Sequence, residues 1–225
     1  MSNGASTDPT GPPAELRRLD TPSAARLVDL AAAFEDLQTA LRCCERLVSE
    51  LAATESEPDD VLIEAVWTTA LLSYARCFSA GETGAALTED DLSTAVAGGQ
   101  PDTGSGTESG TGSGTGSSAQ VLDWHRVLLQ LRAHYADATV NPREQFSVGI
   151  AQNTDGAADG IAITSARQPL VDDLTVRQTG AIAYTLSGLV NERITAQQAQ
   201  VFTELKDTPA SELNALDLLE VAQPD

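Results

Sequence analysis

The sequence predicts a mainly α-helical chain, a bundle of about four long helices carrying a small β-hairpin, and three observations carry that prediction. Its 225 residues are 41% hydrophobic but only 4% aromatic, so the core must be built from Leu, Val, Ile and Ala, a palette suited to helices. Four long stretches repeat apolar residues at helical spacing, and one shorter stretch alternates with period two. The length fits one domain with tails.

Residues 1–20 are polar and rich in small residues and Pro, and are expected to form a disordered tail, leaving 21–225 as a single helical domain. From Thr21 and Pro22 onward, Leu27, Leu30, Phe34, Leu37, Leu41, Cys44, Val48 and Leu51 recur at alternating spacings of 3 and 4, the seam of a left-handed bundle or of a paired helix. A second helix, about 59–79, is apolar on every side and belongs at the centre of the bundle. Gly81 is placed to end it, and Thr88-Glu-Asp-Asp91 to start a short helix through about Val96. Residues 98–118 are almost wholly Gly, Ser and Thr, a flexible linker. A helix over about 118–137 follows, with Val121, Trp124, Leu128, Leu131 and Tyr135 on one stripe, ended by Asn141-Pro142.

Phe146, Val148 and Ile150 then alternate with small residues, as do Ile161 and Ile163 beyond a turn at Asp155-Gly156 and Gly160. This is a β-hairpin. Two strands alone are marginal in water, so the hairpin must lean on the helices or pair with another chain. A long helix over about 171–206 and a short one over 210–222 complete the chain.

Charge narrows the function. Against 33 Asp and Glu stand 13 basic residues, all Arg except Lys206, for a net charge of −20. Such a field repels phosphate backbones and anionic membranes, which leaves nucleic acid at most a local arginine pocket. The acidic excess also resembles proteins adapted to high salt, where screening acts within ~3 Å at 1 M. No stretch reaches the ~20 apolar residues of a membrane span, so a soluble cytoplasmic protein is expected. Cys43, Cys44 and Cys77 form no Cys-x-x-Cys pair, and neighbours on a helix point about 100° apart. With only His125 and His134 to add, neither a metal nor a cofactor is expected. P-loop, dinucleotide-binding and nucleophile-elbow patterns are absent. The acidic pairs Asp59-Asp60, Asp90-Asp91 and Asp172-Asp173 open helices, where they fit capping better than acid-base chemistry.

One polar constellation remains. Arg76 stands among apolar neighbours in Leu71-Leu-Ser-Tyr-Ala-Arg-Cys-Phe78 and is expected to be partly buried, with a carboxylate, carbonyls or an anion to offset its desolvation. His125 and Arg132 share a helix face and, with Arg76 and His134, define a possible anion or RNA-phosphate pocket. The pairing of Tyr74–Phe78 with a later helix running from Trp124-His125 to Arg132-Ala-His134 resembles the HEPN-type helical proteins across residues 22–140. The resemblance implies a four- or five-helix bundle of a toxin-antitoxin or phage-defence system, often a metal-independent ribonuclease whose Arg and a following His face a cleft between two copies. Arg132 occupies the Arg position, but Asp137 and Ala138 stand where the His belongs and His134 comes early. The expected function is therefore a non-enzymatic accessory protein that binds a protein partner or itself through helix or hairpin surfaces. The alternatives are an atypical ribonuclease using Arg76, His125, Arg132 and His134, and a structural or virion-associated protein that self-assembles.

Overall fold

The computed structural model describes residues 16–53, 59–79, 83–98, 118–139 and 141–219. It is a helical bundle with one antiparallel hairpin, in the order α1 (Pro22–Leu51), α2 (Asp60–Arg76), α3 (Glu89–Gly98), α4 (Ser118–Ala136), β1 (Glu144–Gln152), β2 (Ala158–Arg167), α5 (Asp173–Leu205) and α6 (Ala210–Leu213). Local chemistry sets the helix starts. The Thr21 hydroxyl accepts from the Ala24 amide ahead of Pro22 in the first turn of α1, Asp59 accepts from Val61 and Leu62, and Asp172 accepts from Thr175. Thr88 and Asp91 cap each other reciprocally at α3: the Thr88 amide donates to the Asp91 carboxylate and the Asp91 amide to the Thr88 hydroxyl.

α1 packs between α2 and α5, α4 packs on α2, and α3 bridges α4 and α5. Neighbours run antiparallel: the Cys77 thiol reaches the Ala33 carbonyl, Gly180 lies against Cys44, and Gln197 donates to the Ser23 carbonyl. The predicted seam is only partly the buried one. Leu30, Leu37 and Cys44 are buried, but Ala40 and Leu47 join them while Leu27 and Val48 stay half-exposed. A helix sandwiched between two others needs a wider apolar stripe than a two-helix seam. No helix among the described residues is long and apolar enough to cross a membrane.

Two expectations change. The helix expected over 210–222 is a single turn, Ala210–Leu213, because the chain over 214–219 turns back and bridges to the N-terminal segment; residues 220–222 lie outside the described residues. The Leu219 amide donates to the Leu16 carbonyl, and the Arg17 guanidinium donates to the Asn214 and Leu216 carbonyls. Residues 16–20, assigned from sequence to the tail, are held by those same bonds; residues 1–15 lie outside the described residues, as do Gly81 and linker residues 99–117. Of the two arrangements open to the hairpin, leaning on the helices or pairing with another chain, its apolar side does not take the first, as described below.

Candidate functional site

Arg76 closes the last turn of α2, and its guanidinium lies on the surface, 57% exposed. The partner demanded by its apolar neighbours exists, but the expected burial does not. Nε donates to both Asp36 oxygens at 3.0 and 2.9 Å, while Nη2 donates to Asp36 and, at 3.0 Å, to Ser73 Oγ. These bonds favour the charged guanidinium and raise its pKa. Tyr74 and Arg76 are two residues apart, about 200° around the helix, so where Tyr74 meets α4, Arg76 meets α1.

His125 is 2% exposed. Its Nδ1 and the Tyr74 hydroxyl share a 2.9 Å hydrogen bond, and its ring tilts against Phe78 at 4.3 Å between centroids. Burial pushes the imidazole pKa down, against the pull of Glu89 and with a small push from Arg126. Burial pushes the Tyr74 phenol up. Both groups therefore stay neutral, a satisfied polar pair inside the core. Arg132 and His134 sit on exposed turns of α4, with His134 edge-on to Tyr135. Seven residues place Arg132 about 10 Å along the helix from His125, and nine place His134 on the opposite side. The four side chains thus occupy separate environments rather than one pocket.

A polar cleft of about 460 Å³ opens between α1, residues 84–88, α3 and α5, lined by Arg26, Asp91, Arg193 and Gln197 among others. Two of its charges answer each other. Arg193 binds Asp91, and although burial opposes ionisation of Asp91, the bonds from Arg193 and Thr88 outweigh it and lower its pKa. Gln197 is committed to Ser23. The cleft is a brace between α3 and α5. Among the described residues no group of three or more His, Cys, Asp or Glu is placed to hold a metal ion. Cys44 and Cys77 are buried free thiols, each pushed up to about 12 chiefly by burial, and so are unreactive.

The hairpin is the feature that internal packing leaves unexplained. Register pairs Phe146 with Ser165, Val148 with Ile163 and Ile150 with Ile161. Directly opposed residues share a face, so five large apolar side chains line one side. The other side carries Ser147, Gly149, Ala151, Gly160, Ala162 and Thr164. Phe146, Val148, Ile150, Ile161 and Ile163 are each 58–72% exposed, together presenting on the order of 600 Å² of surface, the upper end of what a monomer shows as one patch. Among the described residues, the ion pairs that join the hairpin to the bundle lie at its base: Arg143 pairs with Glu64 and Arg167 with Asp60, while Arg167 also faces Glu144 of β1 itself. Asn153 organises the tip by accepting the Asp155 and Ala157 amides, while Gly156 takes a positive φ of 78° that favours glycine. The alternation revealed these strands in the sequence. That their apolar side is a surface is shown by its exposure, which the alternation alone does not reveal. Comparison of the chain with models of protein families, with curated proteins and with solved structures gives no match, so this site is read from its own geometry.

Proposed function

We propose that this chain is a non-enzymatic interaction protein of a cytoplasmic system, a helical bundle that presents its hairpin as the docking element. One observation carries the reading: an apolar strip exposed along the hairpin, whose ion pairs to the bundle, among the described residues, lie at its base. Water-exposed apolar area of that size is costly unless a partner covers it. The free thiols suit a reducing compartment. The ribonuclease alternative has less support, because His125 is sealed in the core and Arg132 and His134 stand apart on α4.

A photo-crosslinking phenylalanine analogue replacing Val148, in the chain expressed in the cells that make it, tests the proposal. Val148 is expected to give a protein adduct, and the same analogue replacing Asn191 on the exposed side of α5 none. Equal yields, or none from Val148, would overturn it. Purified protein is expected to cleave labelled RNA no faster than an Arg132→Ala, His134→Ala variant. Cleavage lost in that variant would restore the enzyme.

A further inference from the structure

We infer that the occupant of the hairpin strip is the hairpin of a second copy of this chain, stacked face to face about a twofold axis. The inference rests on the docking role proposed above and names its partner. Three features support a copy.

The first is area. Two strips of about 600 Å² bury on the order of 1,200 Å² together, which reaches the lower bound of standard specific interfaces before any flanking surface is counted. The second is self-complementarity. A twofold axis through the strip brings the Val148–Ile163 and Ile150–Ile161 pairs of one copy onto the same pairs of the other, as an isologous contact requires. The faces would stack at about 10 Å, the spacing of packed sheets. Such a sandwich gives each two-stranded hairpin the second layer it lacks.

The third feature is charge. From Gln145 to Ala151 and from Gly160 to Ala166 the strands carry no ionisable side chain, so two highly acidic chains can meet here without opposing like charges. With the arms antiparallel, the tip of each copy, carrying Asp155 and Asp159, lies toward the base of the other. There Arg167, 78% exposed, stands beside Asp60 and Glu144 at 3.4 and 3.8 Å, so the charge-free contact is confined to the middle of the strip and the ends add to the repulsion between the copies. Repulsion between the bundles opposes this contact at low salt and is screened at high salt.

Sedimentation equilibrium of the full chain, from micromolar to near-millimolar protein, tests this in about 0.1 M and about 1 M salt. The mass is expected to rise from 23.5 kDa toward twice that value, at lower protein concentration in the higher salt. Ile163→Asp should weaken association at least tenfold. Ile163→Thr, which keeps a strand-forming residue, should also weaken it. Thr164→Asp, on the small-residue side of the same strand, should leave it intact. A chain that stays monomeric throughout would overturn the inference, as would association unmoved by either Ile163 variant. In the monomeric case an adduct from the Val148 analogue to a different protein preserves the docking role, and no adduct at all ends both.

Discussion

Replacing Tyr74 with Phe removes one oxygen and leaves the Nδ1 of His125 without its 2.9 Å partner at a position 2% exposed to solvent. A buried group left unsatisfied costs about 1–3 kcal/mol, and for a chain of this size each kcal/mol lowers Tm by about 2–4 °C. His125→Leu strands the Tyr74 hydroxyl in the same way and should cost a similar amount. The double variant replaces both partners with apolar groups and is expected to lose less than the two singles together, by about 1–2 kcal/mol of coupling. Urea unfolding of all four proteins measures this. The pH dependence supplies a second check. Burial lowers the His125 pKa in the folded chain, so the unfolded chain takes up the proton first. Relative to His125→Leu, wild type should therefore lose stability as pH falls below the unfolded value of about 6.5, and the loss should continue down to the folded pKa. Carboxylates are common to both proteins and largely cancel in the difference. Single variants within about 0.5 kcal/mol of wild type, or costs that simply add, would refute a satisfied and closed polar pair.

Other perturbations have equally definite outcomes. Arg76→Met should cost no more than about 1 kcal/mol, because its salt bridge with Asp36 is largely at the surface; chemical denaturation showing a loss of 3 kcal/mol or more would mean a buried pair. Gly188→Ala meets open space within α5 and should stabilise by about 0.5–1 kcal/mol. Gly180→Val is expected to destabilise, since even a Cβ there comes within 3.3 Å of Cys44 Cβ, and thermal unfolding of the pair reads both signs. With a net charge of −20, Tm should climb between about 0.1 M and about 1 M sodium chloride, and a flat or falling curve would show that self-repulsion is not a major term.

The bundle was legible in the sequence because helices announce themselves locally. The 3- and 4-residue spacings of α1 and α4, the capping aspartates before α2 and α5, and the alternating strands each reflect contacts within a few residues. Long-range pairing was not legible. Nothing in the α2 sequence shows that the side chain of Arg76 reaches solvent beside Asp36 of α1, since burial depends on which neighbour covers the end of the helix. Likewise, His125 and Arg132 share a helix face, but that face is buried at one end of α4 and bare at the other. The end of the chain misled for a similar reason: Ala210 to Ala222 is compatible with a helix, yet bonds to Leu16 and Arg17, some 200 residues away, draw it into a turn and bridge. The exposed strip was present in the alternation all along. Its partner was not, because a hairpin that packs on its own helices and one that packs on another chain share the same pattern.

Amide hydrogen exchange along the hairpin tests most directly whether it is an arm whose apolar face is covered from outside. At low protein concentration the amides of Glu144–Gln152 and Ala158–Arg167 should exchange far faster than those of the buried turns around Leu37, Leu71 and Leu186, because a lone two-stranded sheet opens readily. Raising the protein concentration in high salt should slow hairpin exchange selectively while the helices keep their rates. Hairpin amides as well protected as the helix core in dilute solution would place that face against the chain's own bundle and contradict the account.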